Sequence, residues 1–249
     1  MALDDPILWF AIGAFLFAGT IKGVIGIGLP TASISLMSQV ADPRVAIALL
    51  MVPMFVANTW QILRAGRLAH SIAVLWPFAL AMCLFMGIGA QFAAGIDRRQ
   101  MMLVTGCVIL LFVATSFVRE TPPIPSRLDR VAQLVLGAVA GLLGGLTAIW
   151  SPPMVIYLLA RRVSKDDFIA FTGLLIFVGS FPLYLGYWHA GLLQQTLASA
   201  SVLMVLPTLA GFALGESLRT RLGSAGFRRA VIIVFGLMGL NLVRRALLG

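Results

Sequence analysis

The sequence predicts an all-α polytopic membrane protein: two inverted repeats of about five helical segments each, with broken or half-spanning helices at the repeat interface. Three observations carry this. First, 60% of the 249 residues are hydrophobic and only 11% are charged, whereas a soluble domain carries about 25% charged residues, so charge is too scarce to cover a water-facing surface. Second, the apolar residues come in long runs. A bilayer-crossing helix takes about 20 of them, so the chain holds roughly eight to ten spans and little extramembrane mass. Third, the runs repeat in the same order in the two halves. Lipid offers no partner to an open sheet edge, so the spans are read as helices.

Ten segments follow in order, over residues 6–22, 29–40, 45–63, 71–95, 100–118, 131–146, 152–160, 168–188, 196–218 and 227–247. The segments at 29–40 and 152–160 are short. At 1.5 Å per residue they fall well below the ~30 Å hydrocarbon core and are expected to be half-spans or return arms of hairpins. Between the fifth and sixth segments, Pro122, Pro123 and Pro125 cannot continue a helix. The expected organisation is one integral-membrane domain: an N-terminal repeat over 1–118, a proline-rich linker over 119–130 and a C-terminal repeat over 131–249. The stretch before the first run has neither a basic region nor a cleavage site, so that run is expected to stay in the protein.

The repeat is read from glycines. Gly19, Gly23 and Gly26 match Gly137, Gly141 and Gly144 at an offset of 118, and Arg98, Arg99 and Gly106 match Arg228, Arg229 and Gly236 at an offset of 130. Each glycine series precedes a short, proline-started segment. If each half crosses the membrane an odd number of times, twelve Lys and Arg residues sort to one side, around Arg64, Arg127, Arg161 and Arg228, and five to the other, around Arg44, Arg98 and Arg244. This is the larger of the two available asymmetries, so inverted repeats are expected, with the loops at Arg64 and Arg161 cytoplasmic and Asp4 and Asp5 outside.

The net charge of +9 fits that loop bias, and no basic stripe suggests nucleic acid. Cys83 and Cys107 lie inside apolar runs and are expected to be packing residues without a disulfide or metal role. His70 and His189 sit far apart at segment ends. No nucleophile–base pair or metal-ligand spacing is present, so no catalytic group, cofactor or metal is expected.

The strongest functional signal lies between Gly19 and Thr31, where Gly19, Gly23, Gly26 and Gly28 precede Pro30. Glycine lowers helix stability by about 1 kcal/mol each, and broken helix survives in a membrane only where it lines protein or a wet cavity. Pro30 suits a first helical turn, and a helix N-terminus inside a protein favours an anion. The second half repeats the device through Gly144 and Gly145 to Thr147, Trp150, Ser151 and Pro152, with Ser151 expected as the N-cap.

Lys22 is the one Lys or Arg within an apolar run rather than at its end, which makes it a functional-site candidate. Asn58 and Gln61 share a helix face, as do Ser180 and Tyr184 at the corresponding place in the second half. Tyr187 and Trp188 read as an interfacial aromatic belt. Asp42, Asp97, Asp129, Asp166 and Asp167 are expected in loops, and Glu216 is expected to pair with Arg219. The candidate substrate-binding residues are Lys22, Gly26, Gly28, Thr31, Asn58, Gln61, Thr147, Trp150, Ser151, Ser180 and Tyr184, with the anion between the breaks at 26–31 and 147–152.

On the same glycine element the chain resembles the TauE/SafE family of sulfite exporters and organosulfonate permeases. The resemblance rests on the GxxxGxxGxG spacing from Gly19 to Gly28, a weaker glycine copy after a central linker, the two related halves and the length. The chain differs from the common pattern at Leu29, Pro30 and Lys22. The resemblance implies a secondary transporter or facilitator for sulfite or an organosulfonate, working by alternating access in a bacterial-type inner membrane. An anion channel of the same architecture, or a transporter for another small organic anion, stands as the alternative. The partners expected are the anion, membrane lipid and, as an alternative to a monomer, a second copy of the chain in a homodimer.

Overall fold

The structure, a computed structural model, describes residues 6–117, 122–192, 195–221 and 224–248. All regular elements among them are helical: α1 (Pro6–Ile25), α2 (Leu29–Met37), α3 (Pro43–Ala65), α4 (Leu68–Gly95), α5 (Arg98–Phe117), α6 (Asp129–Thr147), α7 (Ser151–Ala160), α8 (Lys165–His189), α9 (Gln195–Leu203), α10 (Val205–Arg221) and α11 (Ser224–Leu248), with a single 3-10 turn at Ser126–Leu128. Seven helical stretches among the described residues are long and apolar enough to cross a membrane. The protein is an all-α polytopic membrane protein.

Local chemistry sets the helix ends. The Asp42 side chain accepts a hydrogen bond from the Arg44 amide with Pro43 in the first turn, and Ser164 accepts from the Asp167 amide at the start of α8. Asp129, Asp166 and Asp167 lie in first helical turns rather than in loops, where the positive end of the helix dipole favours a carboxylate. The ninth segment, expected as one helix over 196–218, is two, α9 and α10. Pro207 has no N–H to give the Leu203 carbonyl, and the Met204 amide shifts to bond both Ala200 and Ser201.

Side-chain contacts sort the helix ends into two groups. At one end Arg64 meets Glu216, Arg67 meets Asp167, and Arg161 meets Asp129. At the other, Arg98 meets Asp42, Arg44 donates to the Ala93 carbonyl at 2.9 Å, and Arg245 donates to the Gln39 carbonyl at 2.8 Å. The loops at Arg64 and Arg161 therefore share an end. α1 and α3 run toward that end, while α6 and α8 run away from it. Asp4, Asp5, Arg119 and the side chains of Arg219, Arg221, Arg228 and Arg229 lie outside the described residues.

Helices α1 and α10 cross backbone to backbone. A Cβ on Gly19 would meet the Thr208 carbonyl, and one on Gly23 the Phe212 carbonyl; Gly211 and Gly215 answer from α10 against Leu16 and Thr20. Helices α6 and α4 do the same through Gly137, Gly141 and Gly145 against Phe78, Met82 and Met86. These are small-residue crossings in which missing side chains let the helices approach closely. Exchanging the helices of the two halves maps the α1–α10 contact onto α6–α4, while α3–α8 and α5–α11 map onto themselves.

Candidate functional site

The break between α1 and α2 falls where the sequence places it. Gly26 has φ 88° and Gly28 φ 104°, the left-handed region that glycine enters without steric cost. The Gly26 amide donates to the Lys22 carbonyl at 2.7 Å, closing α1, and the Ala32 amide donates to the Gly28 carbonyl at 2.8 Å, opening α2 with Pro30 in its first turn. α2 then folds back against α1.

Lys22 lies in the last turn of α1, where the negative end of the helix dipole favours a cation. It does not reach to the surface: it is 1% exposed. Its Nζ donates to Asn58 Oδ1 at 2.7 Å and to Gln61 Oε1 at 2.5 Å. Both amides are fixed in that sense. Asn58 Nδ2 donates to the Met54 carbonyl at 2.6 Å, and Gln61 Nε2 donates to the Ile169 carbonyl at 2.8 Å and to Thr172 Oγ1 at 3.3 Å. Gly173 on α8 leaves room for the Gln61 side chain, since a Cβ there would lie 3.1 Å from Gln61 Cγ. Lys22 Nζ also lies 6.0 Å from the centroid of the Phe212 ring.

A pocket of about 440 Å³ leads to this lysine, lined in its depth by Lys22, Gly23, Gly26, Gln61 and Phe212. Its rim carries Arg64, Arg67, Asp166 and Glu216. Arg64 and Glu216 approach to 2.6 Å, so Glu216 pairs with Arg64 on α3 rather than with Arg219 as expected. Arg67 reaches Asp167 at 2.8 Å and Asp166 at 3.8 Å. These residues are far from one another in sequence, and loop charges by themselves mark orientation only, so Arg64, Arg67, Asp166, Ile169, Phe212 and Glu216 were not legible as a lining.

The second break falls within the expected 147–152 and differs from the expectation in content. α6 continues through Gly144 and Gly145 and ends at Thr147, and the turn is made by Ala148 at φ 55°. Trp150, not Ser151, holds the N-cap position, without a side-chain bond; Ser151 is the first residue of α7. The chain turns after Gly145 because the α6 glycines are taken up by the crossing with α4. Thr147 Oγ1 donates to the Leu143 carbonyl at 2.8 Å and accepts from the Ile149 amide at 3.2 Å. The Trp150 ring fills the space left by Gly144 and Gly179, and its Nε1 is buried without a partner among the described residues.

Of the candidate residues, the structure brings Lys22, Gly26, Asn58 and Gln61 together. Gly28 lies in the break two residues beyond the pocket lining, and Thr31 is fully buried on α2 with Oγ1 unpartnered among the described residues. Ser180 and Tyr184 do not act on one face: Ser180 is buried and donates to the Ile176 carbonyl at 2.7 Å, while Tyr184 is 43% exposed. Thr147, Trp150, Ser151, Ser180 and Tyr184 are not in the pocket lining. Tyr187 is buried and donates to the Leu146 carbonyl at 3.2 Å, a core role rather than the interfacial one expected, whereas Trp188 is exposed. Among the described residues no three of His, Cys, Asp or Glu gather as metal ligands.

A family model described as sulfite exporter TauE/SafE matches residues 11–242. No curated protein and no solved structure gives a match. The match takes in both glycine series, both short helices and every residue lining the pocket, and on it the chain belongs to the TauE/SafE sulfite exporter family, a family of membrane transporters.

Proposed function

We propose that this protein is a secondary transporter that moves a small sulfur-containing anion, sulfite or an organosulfonate, across a bacterial inner membrane by alternating access. One observation carries the reading: Lys22 is a buried lysine at the end of a pocket, and its side-chain partners are two neutral amide oxygens. Among the described residues no carboxylate bonds to it. An ammonium buried without a counter-charge is costly, so an anion entering the pocket supplies the one partner that the charged form of Lys22 lacks. The third N–H of the ammonium is the contact available to it; Asn58 and Gln61 hold the lysine in place.

The pocket rim lies at the end where the Arg64 and Arg161 loops meet, the end expected to be cytoplasmic from the excess of Lys and Arg. We read the two halves, 1–118 and 131–249, as inverted repeats. The reciprocal crossings of α1 on α10 and α6 on α4, and the opposite run of α1 and α6, support that reading. Alternating access would then rock one half against the other, closing this end through the Arg64–Glu216 and Arg67–Asp167 contacts.

The test is uptake of labelled sulfite and a panel of sulfonates into proteoliposomes. Saturable uptake that is lost in Lys22→Ala supports the reading. No flux of any sulfur anion overturns it, and single-channel conductance in a planar bilayer would make the protein a channel instead.

A further inference from the structure

The setting of Lys22 has a feature that holding an anion does not require. Its amine meets two acceptors, and both are locked in place by bonds from their own amide nitrogens. A neutral lysine amine has two N–H donors and a lone pair; the charged form has three N–H donors and no lone pair. The empty site is therefore complete for the neutral amine, with the lone pair left over toward the pocket. The anion-bound site is complete for the ammonium, with the third N–H on the anion.

We propose that Lys22 takes up a proton as the anion enters and returns it as the anion leaves, so that anion and proton cross the membrane together. This rests on the anion-transport reading above. The proton comes from hydronium reaching the pocket water: its O–H bond breaks as the N–H bond forms at the Nζ lone pair on binding, and on release that N–H bond breaks and an O–H bond forms on water at the end where the anion departs, regenerating hydronium. A monoanion and a proton together carry no net charge.

The neighbouring charges do not supply a substitute partner. α1 has no other titratable side chain and α2 has none. From α3 the charged group toward the pocket is Arg64, bound to Glu216 of α10; beyond it Arg67 is bound to Asp167 and Asp166 of α8. His70 lies 3.8 Å from Asp167 and stacks on Phe171. The acids at the rim are thus matched by arginines, and none of them bonds Lys22.

Lys22 and Lys165 are the only lysines in the chain, so the Lys165→Arg protein carries a single lysine signal. With lysine labelled at Cε and Nζ, NMR of that protein at constant pH should show an amine without ligand and an ammonium after addition of methanesulfonate, an anion that does not itself titrate. Calorimetry in two buffers of different ionisation heat should show about one proton taken up per methanesulfonate bound, and affinity should fall about tenfold per pH unit where the empty amine is neutral. Lys22→Arg, charged at all working pH values, should bind without proton uptake and with a flat pH profile. Methanesulfonate binding with no proton uptake, or the same uptake in Lys22→Arg, overturns the proton role while leaving the anion reading standing. Absence of binding by both methanesulfonate and sulfite overturns the anion reading and the proton role with it.

Discussion

The two helix breaks share an outline and differ in what fills them. In the first half, glycines at positive φ make the turn, and the space beside it holds Lys22, Asn58, Gln61 and a pocket. In the second, Ala148 makes the turn, and the space beside it is closed by the Trp150 ring against Gly144 and Gly179, with Met86 alongside. The residue 118 positions after Lys22 is Ala140, which is fully buried. Two halves can thus keep the same crossings and the same short return helix while only one of the two breaks holds a lysine. The crossings are a property of backbone approach, and the site is a property of which side chains stand at the break.

The largest effect should come from what the halves share. Gly23→Val and Gly141→Val each place methyl groups into a facing backbone carbonyl, which cannot move away as a side chain can. Each should destabilise the protein by about 3 kcal/mol or more, read as loss of folded protein in detergent by size-exclusion chromatography. If one is tolerated and the other is not, the two crossings are not equivalent and the comparison fails at its base.

The next effect should separate the halves. Lys22→Ala should weaken sulfite or sulfonate binding by about 1.5–3 kcal/mol, the range for a charge-assisted hydrogen bond, or roughly 10- to 150-fold in dissociation constant. Binding isotherms check it, with thermal unfolding to show that the fold is kept. Unchanged affinity would remove the lysine from the site. In the other half, Trp150→Phe leaves most of the packing and gives up an Nε1 that has no partner among the described residues. It should cost less than about 1.5 kcal/mol in stability and leave sulfite affinity within a few-fold. A loss of binding as large as that of Lys22→Ala would place the anion at both breaks and erase the contrast.

The smallest effect is expected at the rim. Arg64 and Glu216 are 59% and 28% exposed in their side chains, and an exposed ion pair contributes about 1 kcal/mol or less. A double-mutant cycle of Arg64→Ala and Glu216→Ala should give a coupling of that size in thermal stability, shrinking further at high salt as screening grows. A coupling well above it would make the rim a structural lock rather than a movable contact.

Much of this could be read before the fold was known. The scarcity of charge forced a membrane protein, since water cannot be faced without polar surface. The close run of Gly26 and Gly28 before Pro30 marked a broken helix, because two helix-weakening residues and a first-turn proline agree on one place. Asn58 and Gln61 were legible as a pair, three residues apart on one face, and Lys22 as an anomaly of depth. Their meeting was not legible, because the contact joins positions 36 and 39 residues apart through a hairpin whose angle the sequence does not state. The second break falls where the segments leave it, between Thr147 and Ser151, but the role of its glycines was not legible: Gly144 and Gly145 look like breakers in isolation, whereas α4 packs against Gly145 and α6 continues through both.

Composition and glycine spacing alone determined the solvent, the helical class, the order of the segments and where the chain turns in the first half. Those depend on local energies: transfer of apolar groups from water, the cost of glycine and proline in a helix, and the distribution of arginine between loops. Tertiary structure decided which glycines serve packing and which serve the turn. It also decided that Glu216 meets Arg64, that Tyr187 is core and Tyr184 is surface, and that the cation of the first half faces two amide oxygens instead of an acid. Each of those depends on which atoms long-range packing brings within a few ångströms, and no spacing along one chain segment contains that information.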